Sequence, residues 1–340
     1  MYNYHNNTIG NNFSISQQLY TDSTKRQLKK DCSSMGINIV FVFLLMDIFS
    51  APLVLFLRTA EEGQGNIQGF DPISYYLFNS FLSFSVFFVF QLIFAKIKKL
   101  DLNQVLPFKY VPLKKLFPLL AVGYAVFSLA NYATSIISSN LQMFGIEDTS
   151  ASADMMFGNT VPELLLCIVA IGIVPAITEE FAFRGIILGG LQKYGDGFAV
   201  VVSSILFGLM HGNLSQIPFA FIGGLILGYM RVYSKSMFPS MIMHCINNTI
   251  AVSLNLLSGV ISENIINIAY LIFIIAIAVC AIISIVYLVK NDKDILNFSK
   301  DKVTNLQFSE KIKIFFGNAG VIWAIILALG IVAISTNINV

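Results

Sequence analysis

Three short clusters contain the residues whose types and spacing could do chemistry in this chain. The first is Thr178-Glu179-Glu180-Phe181-Ala182-Phe183-Arg184, two adjacent acids followed by a base. On a helix, neighbouring positions point about 100° apart, so Glu179 and Glu180 face different surroundings. Glu180 and Arg184 are four residues apart, acid before base, which is the favourable order for a helical ion pair. That pairing occupies one carboxylate and leaves Glu179 without a partner in the local sequence. An unpaired acid shielded from bulk water suits a general base that must also give its proton up again. A solvated, amphipathic helix end at a membrane interface would look the same in this segment alone.

The second cluster is Phe207-Gly208-Leu209-Met210-His211, and the third is His244-Cys245-Ile246-Asn247-Asn248. The chain has only three histidines, and His5 lies in a polar tail. Each of the other two shares a helix face with the residue four positions away, Phe207 and Asn248 respectively. A single histidine in an apolar helix is ordinarily a hydrogen-bonded packing residue. Two of them downstream of an acidic pair suggest one shared site. The other acids within apolar runs have simpler readings. Glu163 follows Thr160 by three residues, with Pro162 between them, and reads as a helix-capping box. Asp47 reads as an inter-helix hydrogen-bonding residue.

The elements that must carry these clusters follow from composition. Of the 340 residues, 56% are hydrophobic and only 12% charged, and the mean hydropathy is +0.74. Soluble domains run nearer ~25% charged, so too few charges are present to solvate a soluble fold of this length. The apolar residues come in runs long enough to cross a ~30 Å hydrocarbon core. These features predict an all-α, polytopic transmembrane bundle of about eight to nine spans. Nine apolar segments can be marked, near 37–57, 73–95, 116–138, 161–177, 197–211, 217–232, 238–258, 264–289 and 314–336, the fourth able to continue through 178–184. The same composition figures exclude a nucleic-acid-binding reading, so no nucleic-acid partner is expected, and the net charge of +2 says little by itself. The four cysteines, Cys32, Cys167, Cys245 and Cys280, are scattered and suggest neither a disulfide framework nor a thiolate metal site. No internal repeat supports an inverted-repeat transporter.

Basic residues set the expected orientation. Lys25, Arg26, Lys29 and Lys30 precede the first span, and six lysines from Lys96 to Lys115 lie between the second and third. Lys193, Arg231, Lys235 and the stretch from Lys290 to Lys313 continue the alternation. The other connections carry acids instead: Glu61, Glu62 and Asp71, then Glu147, Asp148 and Asp154, then Glu263. The pattern predicts a multi-pass cell-membrane protein with a cytoplasmic N-terminus. At ~1.5 Å of rise per residue, Glu179 lies ~27 Å from Val161, His244 ~9 Å into its span and His211 ~21 Å from Gly197. These depths permit the three groups to meet, with His211 the loosest fit.

In order and spacing, the clusters resemble the CPBP intramembrane protease family, which includes CAAX-processing endopeptidases and bacterial relatives linked to bacteriocin maturation and self-immunity. The family pattern is E-E-x-x-x-R, then F-x-x-x-H, then H-x-x-x-N, each on a transmembrane helix. Here Glu179, Glu180 and Arg184, then Phe207 and His211, then His244 and Asn248 fill it without departure. The resemblance covers roughly residues 160–255. It implies a catalytic core over 161–258. The polar composition of the first residues predicts an unstructured N-terminal tail over 1–36, and the apolar runs predict membrane helices over 37–160 and 259–340.

The resemblance also implies an endopeptidase acting on a membrane-associated, lipidated or precursor peptide, with membrane lipid as its other partner. Glu179 would activate water with His211 assisting. His244 and Asn248 would stabilise the oxyanion, and Glu180, Arg184 and Phe207 would support the site. No cofactor is certain. Zinc, held by Glu179, His211 and His244, is one chemistry the donors admit, and metal-free glutamate-driven hydrolysis is the other and the preferred one. A contrasting reading is a non-enzymatic membrane immunity or scaffolding protein of the bacteriocin self-immunity type.

Overall fold

In the computed structural model, residues 4–57, 71–148, 160–299 and 303–338 are described. All nine apolar segments fall on helices. The first is α1, Tyr4–Leu57. Next come α2, Pro72–Ile97, and the single turn α3, Leu102–Val105. They are followed by α4, Leu113–Met143, and α5, Val161–Tyr194. Then come α6, Asp196–Met210, α7, Gln216–Ser234, and α8, Phe238–Ser258. The chain closes with α9, Glu263–Asn291, α10, Phe308–Phe316, and α11, Ala319–Ile334. Among the described residues the only strands are β1, Ile146–Asp148, and β2, Thr336–Ile338, which form one short antiparallel pair. The fold is an all-α polytopic bundle.

Length and apolarity qualify six of these helices as membrane spans, and a seventh if α10 and α11, bent by 64° at Gly317-Asn318, count as one. The remaining two fall short for physical reasons. α6 has only 15 residues, and α8 carries His244, Asn247 and Asn248 in its middle. Both carry residues of the clusters singled out above, and in α8 those polar residues are what lowers the hydropathy.

Helix ends follow local chemistry. Asp71 accepts hydrogen bonds from the Ile73 and Ser74 backbone at 3.1 Å, with Pro72 in the first turn of α2. The Thr160 N–H donates to the Glu163 carboxylate at 2.9 Å and starts α5. Within α5, Pro175 cannot donate a backbone hydrogen bond, and the preceding turn, Ile168–Ile173, is π-helical. A second π-helical turn, Phe181–Ile187, follows the two acids directly. The acids thus sit between two widened turns, where the helix departs from its regular face.

α5 runs through the middle of the bundle, packed against α2 on one side and α8 on another. α6 and α7 form an antiparallel pair beside it, and α4 packs on both α7 and α9. Phe183, Ile186, Ile187 and Leu188 of α5 join Val202, Leu206 and Phe207 of α6 in the main apolar core. Across the α2–α5 contact, the Ser83 and Thr178 hydroxyls lie 2.8 Å apart, which places a polar tie one residue before Glu179.

α1 departs from expectation. The tail expected to be unstructured over 1–36 is helical in its described part, and Leu28, Cys32, Met35 and Ile39 are buried. Their spacing of three and four residues makes an apolar stripe within a charged segment, and this stripe joins the main apolar core, with Met35 against Gly190 of α5, while α1 also packs on α11. At the crossing, Gly36 meets the Gly320 backbone and Gly320 meets the Ser33 carbonyl, so a side chain on either would collide with main chain. Lys29 lies beside Asn318, and farther along Phe43 and Ile331 both approach Gly212. α1 and α11 therefore cross the bundle in the same direction.

Asp47 also differs from expectation: it is exposed on α1, and no other helix bonds to its carboxylate among the described residues. The acidic residues Glu61, Glu62 and Asp154, whose connections entered the orientation argument, lie outside the described residues.

Candidate active site

Glu180 and Arg184 form the ion pair their spacing suggests, Arg184 Nη1 to Glu180 Oε1 at 3.0 Å, with both side chains fully buried. A buried pair of this kind needs further hydrogen bonds to offset its desolvation. Arg184 Nη2 approaches the Gly224 carbonyl of α7 at 3.4 Å. Its guanidinium also lies 4.3 Å from the centre of the Phe207 ring, a cation–π contact across the α5–α6 interface. Glu180 has a second partner as well: His244 Nδ1 of α8 is 3.2 Å from the same Oε1.

His244 thus has an acid at each ring nitrogen. Glu180 lies at Nδ1, and Glu179 Oε2 lies 3.9 Å from Nε2. The first distance is a hydrogen bond and the second is not, so the Glu179 carboxylate faces the imidazole across a small gap. Glu179 keeps 14% of its side chain exposed, against none for Glu180. Adjacent in sequence, the two acids have different environments: one is locked into an ion pair and the other opens onto the interior of the site.

His211 closes α6. Its Nδ1 lies 2.9 Å from the Phe207 carbonyl. A carbonyl oxygen only accepts, so Nδ1 carries the proton and Nε2 remains the free nitrogen of the neutral ring. Gly212, at φ +58°, turns the chain immediately afterwards and fixes where the helix stops. The Phe207 ring packs edge-on against both imidazoles, 4.9 Å from His211 and 5.9 Å from His244 between centroids. One aromatic ring is therefore in contact with the guanidinium and both histidines.

Glu179, Glu180, Arg184, Phe207, His211 and His244 are drawn together in this way from α5, α6 and α8. Asn248 is one helical turn beyond His244. Among the described residues its one side-chain hydrogen bond is to its neighbour: Asn247 Nδ2 donates to Asn248 Oδ1 at 3.2 Å. Asn247 is the more buried of the two amides and was not singled out from the sequence. The signal available was its i+3 spacing from His244. Ser83, also missed, offered no signal, because its tie to Thr178 joins residues 95 positions apart.

Zinc ligation by Glu179, His211 and His244 requires three donors aimed at one point at ~2.0–2.2 Å. Among the described residues no group of three His, Cys, Asp or Glu side chains meets that condition. Glu180 already engages His244 Nδ1, and the Arg184 cation lies alongside. The residues as placed do not fit a three-ligand metal centre.

The fold and the cluster define a polytopic helical membrane protein with a buried carboxylate–imidazole centre. Residues 161–250, which hold every residue of that centre, match the family described as type II CAAX prenyl endopeptidase Rce1-like. Over 179 residues the chain is 28% identical to the membrane-embedded CAAX protease MroQ of Staphylococcus aureus (strain USA300), covering 49% of this chain and 68% of that protein. Over 138 residues it is 31% identical to the putative membrane peptidase YdiL of Bacillus subtilis (strain 168), covering 39% of this chain and 54% of that protein. The match therefore spans about two thirds of the first relative and about half of the second. No solved structure matches the chain. The similarity to the Rce1-like CAAX endopeptidase family is thus carried by residues 161–250.

Proposed function

We propose that this chain is an intramembrane endopeptidase in which Glu179 is the general base. The observation that carries the reading is the contrast between the two adjacent acids: Glu180 is consumed by Arg184 and His244, while Glu179 faces the same imidazole without bonding it. A water molecule beside Glu179 would give up a proton to the carboxylate as its oxygen attacks the peptide carbonyl carbon. The proton then passes to the leaving nitrogen as the C–N bond breaks. His211 Nε2, left free by the bond at Nδ1, assists in holding or relaying that proton.

His244 and Asn248 serve as donors to the oxyanion. Glu180 accepts from His244 Nδ1–H, so His244 acts on the oxyanion as the doubly protonated ring, its Nε2–H pointing into the gap where negative charge develops. Arg184 and Phe207 hold this arrangement without touching the reacting atoms. The substrate is a membrane-associated peptide or protein segment, because the site lies inside a helix bundle. The basic connections support a cytoplasmic N-terminus.

The test compares peptides released from membranes of cells expressing the wild-type chain, Glu179→Gln, His211→Ala or His244→Ala, read by mass spectrometry. Peptides present with the wild type and missing from all three variants are the expected result. Identical peptide sets from the wild type and Glu179→Gln, at equal protein levels, would remove the proposed base and favour the non-enzymatic alternative.

A further inference from the structure

Far from the carboxylate–imidazole centre, a groove of about 510 Å³ opens between α1 and the bend joining α10 to α11. Arg26, Lys29 and Lys30 line it from α1, and Gly317, Asn318 and Ile322 line it from the bend. The lining contains three cations and no acid.

The nearby carboxylates do not neutralise it. Asp31, next in sequence to Lys30, bonds to Lys193 at 2.8 Å and to the Tyr194 hydroxyl at 2.7 Å. Arg26 reaches only the Asp22 backbone carbonyl, at 3.4 Å. Among the described residues, no carboxylate pairs with Arg26, Lys29 or Lys30. A second cleft, lined by residues of the Lys99–Val105 segment and the end of α5, differs in this respect, because Asp101 and Asp196 line it along with Lys99 and Lys193.

The position of the groove matters as much as its charge. Asn318 caps α11 and donates to the Lys29 carbonyl at 2.6 Å, which sets the starts of both apolar runs at one level. On the apolar side, Ile37 and Phe41 of α1 and Ile322 and Ile326 of α11 are all well exposed. The groove therefore offers three unpaired cations at the rim of the hydrocarbon layer and an apolar channel continuing below them. A phosphate linked to acyl chains matches both halves.

We propose that this groove binds the phosphate of an anionic phospholipid headgroup, with the acyl chains lying against α1 and α11. Three cations without counter-charges, held between two spans at the membrane boundary, are the physical basis of such sites. Bound there, the lipid would brace α1 against the broken α10–α11 pair.

The test uses the purified full-length chain in a neutral detergent. Thermal midpoints are measured with added phosphatidylglycerol, phosphatidylcholine or inorganic phosphate, for the wild type and for R26Q/K29Q/K30Q. Phosphatidylglycerol is expected to raise the wild-type midpoint by several degrees and to leave the triple variant unmoved, with the other two additives inactive. Each basic residue near an anionic lipid contributes about a factor of five in affinity, so the triple variant should bind on the order of a hundredfold more weakly. An equal phosphatidylglycerol shift in both proteins overturns the site. An equal shift with inorganic phosphate overturns its assignment to lipid. If the triple variant does not fold, native mass spectrometry of K29Q and K30Q carries the test: lowered phosphatidylglycerol occupancy in each supports the site, and unchanged occupancy in both overturns it.

Discussion

His244 Nδ1 lies 3.2 Å from Glu180 Oε1, so the acid that helical spacing assigns to Arg184 is shared with an imidazole from a different helix. This relationship ties α5 to α8 through a single buried oxygen. It also turns the other ring nitrogen of His244 towards Glu179. The support of the site and its reactive face are thus two ends of one side chain.

Replacing Glu180 by Gln leaves Arg184 buried without its counter-charge. Removing one partner of a buried pair costs about 3–5 kcal/mol. A large fall in thermal midpoint is expected for Glu180→Gln, with partial recovery when Arg184→Met is combined with Glu180→Met. Thermal unfolding in detergent reads both, and additive losses in the double variant would contradict the pairing.

Phe207→Leu keeps an apolar side chain but removes the ring that touches Arg184, His211 and His244. A desolvated cation–π contact is worth up to about 2 kcal/mol. The expected result is a drop in peptide release of roughly ten- to thirtyfold, with the protein still inserted and purified at normal yield. Peptide release at matched protein level measures it.

Gly320→Leu places a side chain against the Ser33 carbonyl, where main chain cannot yield. The α1–α11 contact should open, with sharply reduced folded yield by size-exclusion chromatography. Gly330→Leu, on the same helix where added atoms meet nothing, should behave as the wild type.

Asp292, just beyond α9, accepts from the Tyr233 hydroxyl at 2.6 Å and from Lys115 at 3.1 Å. These bonds, the Tyr233 hydroxyl foremost, lower its carboxyl from 3.8 to about 2. Because the folded value is depressed, this stabilisation is present above the unfolded value and is lost as pH falls through the folded one. The wild-type thermal midpoint should therefore fall between about pH 4 and pH 2 more steeply than that of Asp292→Asn. Parallel curves for the two proteins would refute the prediction.

Much of this was legible in the residue order. Runs of apolar residues mark nine helices, because a backbone in lipid must satisfy its hydrogen bonds within each segment. The i,i+4 relation of Glu180 to Arg184, the Thr160–Glu163 cap and the candidacy of Glu179, His211 and His244 are all local facts. Local reasoning failed in places where the partner is distant. The α1 stripe of Leu28, Cys32 and Met35 was hidden among lysines, and its burial depends on helices distant in sequence, Met35 lying against Gly190 of α5.

By itself, the sequence determined that the chain is a helical membrane protein and which few polar side chains are costly enough in its apolar helices to call for a function. The tertiary structure decided which of two neighbouring acids is spent on an ion pair and which stands open. It also decided that His244 stands between them, and that one aromatic ring contacts Arg184 and both histidines. The physical reason is that periodicity specifies a face within one helix, whereas the meeting of α5, α6 and α8 depends on packing that no single helix encodes.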